Sequence, residues 1–396
     1  MLEMKLRKRD APSYRTSVII FPANEPDLQK AMDEIGIGIT TEKLCVVDAV
    51  RNEDEDKGLQ ALVGTLVNAD EVQYLAKRMD SFDKNELHTF YAAAEQEKLT
   101  EVKDLINLSF NLHCYALISD FSDVSAVGQR YELCRRTGIP TDEMKNTDFE
   151  SIGKKLLSSG KGTVTAYGVL YPTDNAPEQT YNGEQFPEYH WRGDDVATVT
   201  LESGNYHSGI KYEHLYLPCW EIEIEKAANR LGLSSLEACA THLDFAGMSE
   251  QVYQIFTGDY PLPNHLYTLN NLARSYMGFD RQTQDDFHAI VEMAQPKTPK
   301  DVAMLADNFY EFTVVSGLKT PADYGRDMII DSGRYEFDEN LEEYIDFRGY
   351  GEHRVQRENG SFTDYGYIAY LGCTPAVEEL LRQGDSQGMQ MGGMQL

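Results

Sequence analysis

Apolar residues recur along this chain with two different periods. In the stretches 28–36 and 224–232 they fall on one face of a short amphipathic helix, and Leu99, Val102, Leu105 and Ile106 keep the i, i+3, i+4 spacing of another. Short apolar runs at 18–20 and 44–50 read as strands, while Val196, Thr198 and Thr200 alternate with polar neighbours as a half-buried strand does. Gly162 and Gly360 each sit where a turn must separate a helix from a closing Gly-and-aromatic strand pair, ending at 167–171 and 365–370. Gly36-Ile37-Gly38 resembles half of a dinucleotide fingerprint, but it follows a helix and reads as a helix C-cap. Helices and short strands interspersed in this way predict the α+β class.

The same pattern occurs twice. Phe21-Pro22 matches Leu217-Pro218, and the helix at 28–36 matches that at 224–232, both at an offset of 196. Leu75-Ala76, Phe82-Asp83, Phe90, Glu95, Leu108 and Gly128 match Leu272-Ala273, Phe279-Asp280, Phe287, Glu292, Leu305 and Gly325 at 197. Asp148-Phe149, Gly153 and the run 162–168 match Asp346-Phe347, Gly351 and 360–366 at 198. An offset that drifts so little over so long a span predicts two tandem homologous units. The expected organisation is a basic N-terminal arm at 1–16, a first unit at 17–171 and a connector with a hairpin at 172–212. A second unit follows at 213–370, then a helix stub and disordered tail at 371–396.

Composition narrows the partners. The 396 residues carry 65 Asp and Glu against 36 Lys and Arg, a formal net charge of −29, with 41% hydrophobic residues to fill cores. That balance excludes a protein gripping nucleic acid through a broad basic face, and argues against docking on an anionic membrane. No stretch approaches a membrane span, and the basic start lacks the apolar region of a signal peptide. Six scattered cysteines without a CxxC pair read as reduced thiols, which fits a cytoplasmic location. The excess is spread over both units, net −10 for 17–171 and −15 for 213–370, rather than packed into a tail.

The densest acidic clusters are Asp48 with Glu53, Asp54, Glu55 and Asp56, then Asp142, Glu143, Asp148 and Glu150. Further along come Glu221, Glu223 and Glu225, and lastly Glu336, Asp338, Glu339, Glu342, Glu343 and Asp346. Carboxylates at i, i+3 and i+4 of a helix stand roughly 5–6 Å apart. Successive phosphates of a DNA strand are separated comparably, so such helices can offer an anion array to a cleft lined with Lys and Arg. A solvated acidic face is the bland alternative for any one cluster taken alone.

Two segments are more specific. SDVSAVGQRYELCRRTGIPTDEMKNTDFESIGKKLL (122–157) and TPADYGRDMIIDSGRYEFDENLEEYIDFRGYGEHRV (320–355) resemble the antirestriction proteins of the ArdA family. The resemblance is carried by Tyr344-Ile-Asp346-Phe347, Tyr350-Gly351 and the strand run at 360–367, with Thr147 and Val164 departing from the pattern in the first unit. It implies an elongated α+β protein of mobile elements, an acidic DNA mimic that inhibits type I restriction–modification enzymes and acts as a dimer. Two fused copies then form a covalent pseudo-dimer, or a longer protomer that still dimerises. An RNA-guided CRISPR nuclease is an alternative target, and a structural or regulatory interaction module of a mobile element is the alternative class.

Enzyme readings find little support. His207 and His214 lack further ligands at metal spacing, and His88 and His288 miss equivalent repeat positions. No nucleophile-elbow, P-loop, zincin or EF-hand pattern occurs, so no cofactor, metal or catalytic residue is expected. Asp338, Asp346 and Asp364 could be drawn as a nuclease cluster, but Ala166 stands opposite Asp364 in the first unit, and so anionic a chain would repel its substrate. Tyr344, Phe347, Tyr350, Tyr365 and Tyr367 read as packing residues rather than base-stacking platforms, and Arg326, Arg348, Arg354 and Arg357 as members of ion pairs.

Overall fold

The N-terminal stretch, expected as a basic arm, is an inner strand of a sheet. In the computed structural model, which describes residues 2–52, 58–136, 138–189, 195–205, 209–258, 262–336 and 338–382, β1 (Leu2–Lys8) lies between β2 (Thr16–Phe21) and a later strand. The reason is its alternation: Leu2, Met4 and Leu6 are buried, while Glu3, Lys5 and Arg7 between them are the more exposed side. The charge that suggested an arm is the polar face of a half-buried strand.

The chain is a mixed α+β protein whose contacts divide it into two units. One comprises residues 1–193, 206–213 and 222–234; the other comprises 194–205, 214–221 and 235–396. In the first unit, β2 leads to α1 (Glu25–Glu34), then β3 (Cys45–Asn52) and β4 (Leu66–Val67), giving the strand order β2-β1-β3-β4. Helices α2 (Ala69–Asp80), α3 (Lys84–Gln96) and α4 (Val102–Phe110) follow, and Leu75, Phe90 and Leu105 are wholly buried with Met4, Phe21 and Leu28 in one core. β5 (Tyr115–Ile118), α5 (Val124–Arg136), α6 (Thr141–Met144), α7 (Phe149–Ser158), β6 (Thr163–Thr165) and β7 (Gly168–Pro172) complete it, with the strand order β5-β7-β6.

Helices α5 and α7 meet at glycines. A Cβ on Gly128 would stand 1.9 Å from the Phe149 carbonyl oxygen, and one on Gly153 would stand 2.0 Å from that of Val124. Only the absence of a side chain at both positions lets the two backbones approach so closely.

The stretch after β7, expected as a polar connector, is strapped to the first unit. Asn107 accepts from the amides of Thr180 and Tyr181 at 2.8 Å, and Asn111 both accepts from the Glu178 amide and donates to its carbonyl. Phe186 stacks on Tyr74 and Tyr181, with ring centroids 4.8 and 5.3 Å apart. Two asparagines on one helix face thus satisfy backbone groups of a segment that has no sheet partner. Beyond it come β8 (Ala197–Asn205), β9 (Gly209–Leu217), α8 (Glu221–Arg230) and β10 (Ala240–Phe245), in the sheet order β10-β8-β9. The strand at 209–217 outruns the end of the connector expected from sequence. Both amphipathic helices named at the outset end in the same cap. Gly36 and Gly232 take positive φ, and the amides of Ile37 and Leu233 reach back to Met32 and Ala228.

The second unit continues with α9 (Glu250–Thr257), α10 (Leu266–Met277), α11 (Arg281–Ala294) and α12 (Pro299–Asp307). It ends in β11 (Phe312–Ser316), α13 (Pro321–Arg326), α14 (Phe347–Glu358), β12 (Ser361–Phe362) and β13 (Gly366–Tyr370), in the order β11-β13-β12. Here again two helices meet at glycines: a Cβ on Gly325 would be 1.9 Å from the Phe347 carbonyl oxygen, and one on Gly351 would be 1.7 Å from that of Pro321. Tyr367 is fully buried, but Tyr344 is 77% exposed, which corrects its reading as a packing residue. It ends a short 3-10 helix rather than a core helix. The low-complexity tail lies outside the described residues.

Candidate partner-binding surface

The acidic positions do not share one environment. Asp48 sits on β3 opposite β1 and pairs with Arg7 at 2.9 Å, both half-buried, so cross-strand pairing accounts for it and it offers no exposed carboxylate. Glu53, Asp54, Glu55 and Asp56 lie outside the described residues. Asp142, Glu143, Asp148 and Glu150 are all exposed on and around α6 and α7. Glu143 reaches Arg136 at 2.7 Å and Glu150 reaches Lys154 at 2.6 Å. Glu221 and Glu225 are exposed on α8, whereas Glu223 is half-buried.

In the second unit Glu336, Asp338, Glu343 and Asp346 are exposed, and Glu342 is half-buried against Arg326 at 2.5 Å. The expected α-helical spacing does not hold at this cluster. Residues Glu339–Tyr344 form a 3-10 helix, begun by Asp338 accepting from the Asn340 amide. Asp338 and Glu342, like charges four residues apart, would repel one another along an α-helix, and a capping Asp competes for the same amides.

Two further acids have a local duty that sequence rules could have found. Asp148 accepts from the Ser151 amide at 3.0 Å at the start of α7, and Asp346 accepts from the Gly349 amide at 2.8 Å at the start of α14. An Asp preceding a helix is a standard N-cap, so part of the matched Asp-Phe pair is explained by helix chemistry alone. Of the arginines expected in ion pairs, Arg326 meets Glu342, Arg348 meets Glu352 at 2.8 Å and Arg354 meets Glu358, while Arg357 is exposed.

The sequence reading missed a buried ionic cluster in the first unit. Lys226 of α8 donates to Glu25 at 3.0 Å and to Asp70 at 2.7 Å; Lys77 also reaches Glu25, at 2.9 Å. Arg230 joins Glu213 at 2.9 Å and Asp70 at 3.5 Å. Burial alone would raise the pKa of Glu25, but Lys77 and Lys226 overcome it and hold the carboxyl at about 2. Nothing in the local pattern marks Lys226, whose partners lie far away in sequence. Each acid in this cluster is already held by a cation, so it contributes to the net charge without offering a free surface anion.

Cys45, Cys114, Cys219 and Cys239 are buried, Cys134 is half-buried and Cys373 is exposed, all as thiols. Among the described residues no three His, Cys, Asp or Glu side chains gather to hold a metal ion, and no helix is long and apolar enough to cross a membrane. Residues 213–369 match the protein-family model described as Antirestriction protein (ArdA). That span includes 320–355 but not 122–157, and it contains the acids from Glu221 to Asp346. No curated protein was found to match the chain.

Proposed function

We propose that this protein is an antirestriction inhibitor whose exposed carboxylates occupy the DNA-binding cleft of a type I restriction–modification complex. The observation that carries the reading is the match of residues 213–369 to the antirestriction family. The exposure of Asp142, Glu150, Glu221, Glu225, Glu336 and Glu343 supports it, because these are the anions a basic cleft could meet. The reading needs no catalytic group and no cofactor.

The chain reads as two fused copies, 17–171 and 213–370. Support comes from the shared strand orders β5-β7-β6 and β11-β13-β12 and from the glycine crossings at 128/153 and 325/351. The paired caps at Gly36 and Gly232 agree. Fusion supplies in one chain what the family resemblance would otherwise assemble from two.

Mimicry predicts competition. Duplex DNA and this protein should exclude one another from a type I methyltransferase core, with affinity falling steeply as salt rises. A stable ternary complex of target, DNA and inhibitor would sink the proposal. Reversing Glu221, Glu225 and Glu343 together should weaken inhibition by about tenfold or more with the fold unchanged, and each alone should do little.

A further inference from the structure

Large apolar side chains stand exposed in the segment that leads into α14. Tyr344 is 77% exposed and Leu341 is 53% exposed. Single apolar residues scattered over a surface need no explanation. These two stand where the first unit is polar. Two and five residues before Asp148, which caps α7, lie Asn146 and Glu143; two and five residues before Asp346, which caps α14, lie Tyr344 and Leu341. In the first unit both side chains serve local structure, Asn146 donating to the Asp142 carbonyl and Glu143 pairing with Arg136. Leu341 and Tyr344 make no such bond among the described residues. A helix begun by the same cap therefore does not require an apolar residue at either position.

The segment holds the two side chains in place. Asp338 accepts from the Asn340 amide at its start, the Leu341 amide reaches the Asp338 carbonyl at 2.8 Å, and Glu342 pairs with Arg326 of α13. Apolar surface is thus presented to solvent on an ordered turn, among the exposed carboxylates of Glu336, Asp338, Glu343 and Asp346. An apolar centre with a charged border is the anatomy of a contact between proteins. Nothing in an array of phosphates corresponds to these two side chains.

We propose that Leu341 and Tyr344 are apolar anchors of the partner interface, seated in a recess of the target protein that is apolar inside and bordered by Lys and Arg. The surrounding carboxylates specify that border by charge complementarity. The proposal rests on the antirestriction reading and deepens it. The carboxylates follow the path DNA would take, and the anchors add a contact DNA cannot make.

The test measures binding of the full chain to a purified type I methyltransferase core, at salt from about 0.1 M to about 0.5 M. The double variant Leu341→Gln with Tyr344→Asn should bind about tenfold more weakly, or worse, at every salt concentration. The slope of log affinity against log salt should stay the same, because burying apolar surface releases no counterions. Tyr344→Phe should bind like the parent, since the ring and not the hydroxyl is the anchor. Reversing Glu221, Glu225 and Glu343 should instead flatten the slope, and Tyr14→Ala, at an exposed tyrosine of the first unit, should change nothing. Should the double variant melt below the parent, Tyr344→Asn alone decides, with the same expected direction.

A variant that binds like the parent sinks the proposal, as does one whose loss of affinity disappears at high salt. So does a parent whose self-association, read by sedimentation, is lost in the variant, since the anchors would then seat a second copy. If the parent itself does not bind the core, the antirestriction reading fails and takes the proposal with it.

Discussion

The two units solve the problem of burying polar side chains differently. The first buries charge, setting Glu25, Asp70 and Glu213 against Lys77, Lys226 and Arg230. The second sets two stacked phenols on a single carboxylate, where the first places one, Tyr181, on Glu71. Tyr324 and Tyr367 stack with ring centroids 3.8 Å apart, and both hydroxyls donate to Glu358 at 2.7 Å, while Arg354 pairs with the same carboxylate. In the first unit Val127 and Val169, which the proposed repeat aligns with Tyr324 and Tyr367, pack with Leu156 and Tyr131. The glycine crossings are the same in both. Backbone approach is therefore the rigid requirement, and the material that fills the space beside it is exchangeable.

The comparison can be broken most forcefully at the ionic cluster. Removing one partner of a buried pair costs about 3–5 kcal/mol, so Glu25→Ala should lower the denaturation midpoint of the first unit well beyond any surface change. The pH dependence follows from its depressed pKa. The contribution of Glu25 is present above the ordinary carboxylate range, near 4.5, and is lost as pH falls toward about 2. Circular dichroism across that window should show acid unfolding that the Glu25→Gln variant no longer shares. An unaltered acid transition would mean that the cluster is not what holds α8 to the first unit.

Next in size are the crossings. Gly153→Ala and Gly351→Ala should each cost about 3 kcal/mol, because a methyl group there meets backbone, which cannot step aside as a flexible side chain can. Equal losses in the two variants would sharpen the parallel between the units. If Gly153→Ala were tolerated and Gly351→Ala were not, the likeness would be one of strand order alone.

The smallest effect belongs to the phenols. Tyr367→Phe removes one buried hydrogen bond and should cost about 1 kcal/mol. Burial, and the Glu358 carboxylate it donates to, push the Tyr367 hydroxyl far above the ordinary tyrosine pKa. That stability is present below pH about 10 and is lost as pH rises beyond it. Ultraviolet absorbance should therefore show one late-ionising tyrosine fewer in the variant than in the parent. If all tyrosines titrated together near 10, the carboxylate–phenol arrangement would be refuted.

Much of the local structure was legible beforehand. Periodicity placed α1, α4 and α8, and the glycine at 36 announced the cap that ends the first of them. The matched glycines at 128, 153, 325 and 351 were visible as a pattern, though their reason, backbone touching backbone, was not. The basic start is no arm, because its charges lie between the buried residues of an alternating strand. Tyr344 misled because an aromatic among matched positions resembles core, yet it ends a 3-10 helix that turns it outward.

The sequence by itself determined the α+β class, the caps and the sum of the charges, because each depends on neighbours a few residues apart or on composition. Only the tertiary structure decided which charges remain available to a partner. Asp48, Glu25, Asp70 and Glu213 add to the same total of −29 as Glu225 or Glu343, yet they are held by cations. Those cations lie up to some 200 residues away along the chain, as with Lys226 and Glu25. Pairing across such separations is set by where the fold brings the helices together, and no local pattern records it. Glu71 shows the same limit: its burial, and the Tyr181 hydroxyl that meets it, come about only once the strap has closed over α2.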